Sequence, residues 1–190
     1  MNSFSELVKK CRSYRRFDGS HQVAKQTLID LVGLARFTAS GANLQPLKYI
    51  ISSDEQKNAV IFDSLAWAGY LTDWDCPAKD ERPSGYIIIL NDTTIAKISG
   101  YDPGIAAQTI MLGAVDRGLG GCMFGSINRK KLSQNLKIPE KYEVLLVLAI
   151  GKPVETVVLE DADGDIKYYR DENQVHHVPK RTLDELILDL

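Results

Sequence analysis

Residues 102–121 read DPGIAAQTIMLGAVDRGLGG. The stretch 102–117 is apolar nearly all round and rich in small residues, among them Gly104, Ala106, Ala107, Gly113 and Ala114. A helix of that composition is a buried one, with another backbone drawn close to one side. At the helical rise per residue it is about 24 Å long. In a chain of 190 residues, a fully buried central helix implies a second subunit that covers part of it. The glycines that follow, Gly118, Gly120 and Gly121, leave backbone N–H groups bare enough to approach a flat ring.

Other elements arrange themselves around this helix. Phe4–Lys10 reads as a short helix. Across 25–37, Leu28, Leu31, Val32 and Ala35 recur at helical spacing. Residues 48–52 read as a strand, 54–65 as a helix, and the β-branched run 86–90 as a buried strand. Asn128 caps a helix running to Leu136, which Ile138-Pro139 stops. Residues 142–150 form the strongest strand, ended by Gly151-Lys152-Pro153. Segments 154–159 and 166–169 read as extended, on either side of the turn Asp161-Ala162-Asp163-Gly164-Asp165. Thr182-Leu183-Asp184-Glu185 is a capping box, with Leu183, Leu186, Ile187 and Leu190 on one face. No regular βαβ alternation appears. The expected class is α+β, with helices packed on a small sheet in a single domain spanning 1–190.

Composition narrows the function. Hydrophobic residues make up 44%, charged residues 25%, and the net charge is -2, so the whole chain is no polyanion binder. Cys11, Cys76 and Cys122 lie far apart, which suits neither a disulfide scaffold nor zinc and points to a reducing compartment. The longest apolar runs, 86–90 and 144–150, fall far short of the roughly 18 residues a membrane span needs. No apolar stretch of signal-peptide length follows Met1, so the cytoplasm is the expected location. Charge is uneven: residues 1–50 hold eight Lys/Arg against three Asp/Glu, and the remaining 140 hold fifteen against twenty-two. A nucleic-acid binder would use that basic end. The acidic remainder, and the lack of aromatics interleaved on a basic face, argue against one.

Several familiar patterns fail. A dinucleotide fingerprint starting at Gly118 needs glycine at 123, which is Met123, and it should follow a strand. A phosphate loop ending at Gly125 needs lysine where Ser126 stands. The acidic turn at 161–165 has Ile166 where a calcium loop requires glycine. His176 and His177 adjoin, so on a strand they face opposite sides and make a poor metal pair. No metal is expected. Cys122 reads as buried packing rather than a reactive thiol.

Four segments make sense together. Arg12-Ser13-Tyr14-Arg15-Arg16-Phe17 offers guanidiniums and a hydroxyl suited to a phosphate. Ser40-Gly41-Ala42-Asn43-Leu44-Gln45-Pro46 is a polar loop whose amides match a heterocycle edge. Gly118 to Gly125 is glycine-rich. Lys180-Arg181 is cationic and stands just before a capped helix.

In this order and at this chain length, these segments resemble the nitroreductase family of FMN-dependent oxidoreductases. The most specific pieces are R-S-x-R-x-F at Arg12 to Phe17, S-x-x-N-x-Q-P at Ser40 to Pro46, and the helix leading into Gly118-Leu119-Gly120-Gly121. The resemblance implies a mainly antiparallel sheet flanked by helices and an intertwined homodimer, with the segment 154–190 reaching the partner. It implies FMN at the subunit interface, its phosphate held by Ser13 with one or more of Arg12, Arg15 and Arg181. Arg15 stands alternatively at the pyrimidine edge of the ring. Tyr14, Gln45 and Lys180 join the binding set, Ser40 and Asn43 face the ring from the partner, and Gly120 and Gly121 bring an N–H to flavin N5. Replacement of Gly121 is accordingly expected to damage the flavin site more than the fold. The implied reaction passes electrons from NAD(P)H to a small electron-poor acceptor, such as a nitroaromatic or quinone, in ping-pong fashion. Because the flavin carries the chemistry, no side chain is singled out as the catalytic acid or base; Tyr14, Tyr168 and His176 are the available proton donors. The alternatives are reductive dehalogenation or flavin breakdown on the same fold, and a flavin-binding carrier or sensor with little turnover. Two positions depart from the family pattern: Cys11 replaces a frequent arginine, and Leu47 replaces the aromatic that usually follows Q-P.

Overall fold

The computed structural model describes residues 3–189, so Leu190, expected on the last helix, lies outside the described residues. The apolar run 86–90 forms the middle of β2 (Gly85–Asp92), in which every residue is buried. Its side chains alternate. Ile87 and Ile89 enter one apolar cluster, and Tyr86, Ile88 and Leu90 enter another. A strand with both faces covered has no polar side to show, which is why it reads as a continuous apolar run. It pairs antiparallel with β1 (Leu47–Ser52) and β4 (Tyr142–Gly151), and β4 pairs with β3 (Gly120–Phe124), giving the order β1-β2-β4-β3.

The first cluster packs under α2 (Lys25–Ala35) and α4 (Asp102–Asp116), flanked by Leu7 of α1 (Phe4–Lys10). The second lies under α3 (Glu55–Phe62) and α5 (Arg129–Leu136), around Trp67. Asn128 caps α5 as expected, by accepting the Lys131 N–H at 3.0 Å. α2 stops at Ala35 and α3 at Phe62, a little short of the sequence reading, as frayed ends commonly do.

Within this single chain, α4 is buried along one side. Ala106, Ile110, Met111 and Ala114 are buried, while Ile105 is 41% exposed and Gln108 is exposed as well. The close backbone approach is real: a Cβ on Gly113 would run into Leu31 and Leu34 of α2. The glycine-rich stretch after α4 leads into a strand. Gly120 and Gly121 are strand residues opposite Gly151 and Ile150. On the other edge of β3, Ser13 bridges Gly121 in parallel, and the Tyr14 N–H donates to the Gly121 carbonyl at 2.9 Å. Phe17 pairs with Pro153, so the basic segment runs as an added edge along the sheet.

Beyond β4, the chain forms a second sheet of β5 (Val157–Asp161), β6 (Tyr169–Arg170) and β7 (His176–Lys180), in the order β5-β7-β6. β5 and β7 run parallel. β7 was not legible beforehand, because neither alternation nor an apolar run marks His176-His177-Val178-Pro179. The short α6 (Leu183–Leu186) carries the expected capping box between Thr182 and Glu185.

A Cβ on Gly121 would meet the Ala149 carbonyl and the Met111 methyl, whereas one on Gly125 meets nothing within 4 Å. Gly121 is therefore tied to the packing of the fold as well as to the cavity it lines. Gly121→Ala should destabilise by about 1–3 kcal/mol through overpacking. Gly125→Ala should stay within about 0.5 kcal/mol of the parent. Equal melting temperatures for the two variants would refute the assignment.

Candidate functional site

The edge pairing with β3 places the basic segment at the mouth of a cavity of about 350 Å³. Arg12, Ser13, Arg15 and Lys180 line it, with Gly121 and Gln108. The three arginines of the segment have different fates. Arg16 is spent on Glu81, in a bidentate pair with Nε–Oε2 at 2.8 Å and Nη2–Oε1 at 2.5 Å. That pairing raises the Arg16 pKa and lowers that of Glu81. Arg12 donates Nη2 to the Val8 carbonyl at 2.9 Å, and its buried Nε has no partner. Arg15 is only 8% exposed, and its guanidinium meets no carboxylate among the described residues. Its Nη1 lies 3.2 Å from the Ser13 carbonyl and 3.1 Å from His176 Nε2, and its plane sits 4.5 Å from the Tyr168 ring centre. A buried guanidinium held by neutral groups keeps its charge for a ligand.

A smaller cavity of about 150 Å³ adjoins the first and shares Arg15, Met123 and Tyr168 with it. Ala66, Ala68, Phe124, Gly125 and Ser126 complete its wall. The pair thus offers a cationic end beside a slot lined by small and apolar groups. Cys122 faces this slot, and burial pushes its thiol pKa up, consistent with packing rather than nucleophilicity. Cys11 lines the larger cavity as a buried thiol, also with a raised pKa.

The structure brings Arg12, Ser13, Arg15, Gly121 and Lys180 together. It keeps the other candidates apart. Tyr14 turns its hydroxyl to the Lys10 carbonyl at 3.0 Å and packs where a Gly120 Cβ would stand, so Gly120 serves packing. Arg181 is exposed and reaches Glu185 at 3.5 Å. Ser40 donates to Asp102 at 2.6 Å and accepts the Gln45 N–H at 2.9 Å, which ties its loop to the start of α4. Asn43 and Gln45 are exposed and bonded to each other at 3.1 Å. Ala42, Asn43 and Gln45 all hold positive φ, an uncommon cluster for side-chain-bearing residues. The sequence offers Tyr168 and His176 as proton donors on a segment that could line the substrate pocket. Their place against Arg15 was hidden because the contact joins residues 161 positions apart.

The model of the nitroreductase family matches residues 8–152 of this sequence. The chain belongs to the nitroreductase family. YodC of Bacillus subtilis, which carries the name of an NAD(P)H nitroreductase, is 24% identical over 185 residues, covering 82% of this chain and 92% of that protein. Among solved structures, an FMN-dependent nitroreductase from Clostridium difficile R20291 is 24% identical with a TM-score of 0.63, covering 84% of this chain and 91% of that one. A gut-bacterial enone reductase, CLA-ER, is 18% identical with a TM-score of 0.71, covering 88% and 96%. The fold of this chain is therefore the family fold. Its second sheet lies beyond the stretch matched to the family. Among its described residues no cluster of three or more His, Cys, Asp or Glu is placed to hold a metal ion, and no helix is long and apolar enough to cross a membrane.

The second sheet is fastened to the basic segment by Glu155. Its Oε1 accepts the backbone N–H groups of Arg15 and Arg16, and its Oε2 pairs with Arg170 at 3.0 Å, with both side chains nearly fully buried. The two histidines of β7 face opposite sides, as their adjacency implies, and titrate in opposite directions. Burial, together with the charges of Arg15 and Arg170, pushes the His176 pKa down from 6.5 to about 4. His177 meets Glu160 at 2.9 Å and Asp171 at 3.7 Å, which raise its pKa.

Folded His176 binds its proton less readily than the same residue in the unfolded chain, so this site carries fewer protons folded than unfolded between pH 4 and 6.5. Its contribution is present above pH 6.5 and is lost as pH falls towards 4, by about 3 kcal/mol from a shift of this size. The His177 contribution runs the other way, present below its unfolded value and lost as pH rises through the folded one. Denaturant titrations of wild type and His176→Phe at several pH values should show wild type losing more stability on acidification from pH 6.5. Parallel curves would show that His176 is not held neutral.

Proposed function

We propose that this protein is an FMN-dependent oxidoreductase that takes electrons from NAD(P)H and passes them to a small electron-poor acceptor, such as a nitroaromatic or quinone. The observation that carries this reading is the buried Arg15 guanidinium without a carboxylate, set where a cationic cavity meets a slot of small and apolar groups. That shape and charge fit a flat ring with a phosphate tail. Membership of the nitroreductase family supports the same cofactor. Bound FMN supplies the electron carrier between the two substrates.

The protein's own residues bind and tune. Arg12 and Lys180 hold the phosphate beside Ser13, where charge-assisted bonds are strongest. Arg15, at the junction, supplies positive charge toward the ring. Gly125 and Ser126 present bare backbone along the slot. Tyr168, next to Arg15, closes the slot from the C-terminal side.

The working unit in this reading is a homodimer. Ser40, Asn43 and Gln45 are absent from the lining of both cavities, and their loop stands next to Leu44, Ile98 and Tyr101, which are 51%, 83% and 88% exposed. These residues present the loop to a partner's flavin and bury the apolar rim. Packing of the C-terminal sheet on its own chain narrows the expected arm to the end of the chain, where Leu183, Leu186, Ile187 and Leu188 are 61–74% exposed. The three cysteines are free, in keeping with a reducing cytoplasm.

Purified protein should be yellow, retain FMN through gel filtration, and bleach anaerobically with NADH or NADPH. A colourless protein that does not take up added FMN would overturn the reading. The double variant Arg12→Ala with Arg15→Ala should lose FMN, since each charged hydrogen bond contributes about 1.5–3 kcal/mol. Sedimentation at micromolar concentration should give a dimer, with an interface above roughly 2,000 Å² in total. A folded monomer at that concentration would remove the dimer from the proposal.

A further inference from the structure

We propose that His176 of β7 and Tyr168, which immediately precedes β6, both outside the stretch matched to the family, are positioning residues that hold Arg15 as an unneutralised cation beside the flavin. The inference rests on the flavin reading of the two cavities.

A closed circuit of contacts carries it. Glu155 accepts the backbone N–H of Arg15 and pairs with Arg170 at 3.0 Å. Arg170 stands opposite His176 in the β6–β7 pairing. The His176 N–H donates to the Thr156 carbonyl at 2.9 Å, and its ring returns to Arg15 Nη1 at 3.1 Å. Tyr168 lies on the face of the same guanidinium, with its ring 5.2 Å from that of His176 and 4.9 Å from that of Tyr70. The Arg15 backbone and side chain are thus both gripped by one strap.

The chemistry of the grip matters. A guanidinium has donors only, so His176 Nε2 accepts, and the imidazole proton resides on Nδ1. His176 is wholly buried, and Nδ1 has no partner. The nearby carboxylate of Glu155 is committed to backbone N–H groups and to Arg170 rather than to the Arg15 side chain. A neutral acceptor orients the guanidinium without cancelling its charge. A carboxylate there would orient it and neutralise it.

The test is a series at His176, with FMN affinity and the flavin midpoint potential as readouts. His176→Phe keeps the ring volume and removes the acceptor. His176→Gln keeps an acceptor. His176→Glu adds a negative charge. FMN affinity should fall about tenfold in the Phe variant, the loss expected for a misplaced charged hydrogen-bond donor. Its potential should move negative. The Gln variant should stay close to wild type in both readouts, and the Glu variant should show the most negative potential. Tyr168→Leu, which leaves the His176 contact in place, should weaken FMN less than the Phe variant does and serves where that variant folds poorly. Arg15→Ala separates the two levels of inference. If it leaves affinity and potential unmoved, the cavity reading falls and this inference with it. If it moves both while the Phe and Gln variants match each other, the positioning role alone is overturned.

Discussion

Two pieces of backbone and one side chain converge on Gly121. β4 pairs with it on one edge, Ser13 and Tyr14 lie on the other, and Met111 of α4 presses from above. No side chain fits there, because its first carbon would fall on the Ala149 carbonyl. This constraint lets the basic segment lie flat along the sheet edge. From that edge Arg12 and Arg15 reach the same cavity, and the central helix lends it Gln108 and Met111. A bulkier residue would be driven into β4 and α4, the frame against which the segment lies.

The arginines of that segment show how context divides identical chemistry. Arg16 meets Glu81 in a two-pronged ion pair and serves the fold. Arg15, one residue earlier and pointing the other way along the added strand, meets a carbonyl, an imidazole and a phenol ring. Burying an ion without a counter-charge is costly unless its environment supplies dipoles or a ligand. The second sheet supplies part of this through His176 and Tyr168, and the remaining charge faces the cavity.

The Ser40 loop carries a different sort of stress. Three non-glycine residues hold left-handed backbone, anchored through Ser40 and Gly41 to the Asp102 carboxylate at the start of α4. Such strain persists only where surrounding contacts over-determine it, and it clusters at functional sites. The loop and the exposed Tyr101, Ile98 and Leu44 form one surface, which shares no lining residue with the chain's own cationic cavity.

Much of this was legible in the sequence. Period and composition mark β2, β4, α2 and α4, because burial on one or two faces writes itself into every residue of an element. The caps at Asn128 and Thr182 are local signals and were read where they stand. The basic segment was legible as a cluster, and the family pattern named Arg12, Ser13, Arg15 and Lys180 together. Tertiary structure alone decided the rest. It made the Gly120-Gly121 stretch a strand, set Arg16 on Glu81, turned Arg181 away, and brought Tyr168 and His176 onto Arg15. Those outcomes depend on which distant backbones share an edge, and pairing between residues far apart in the chain leaves no periodic trace in either one.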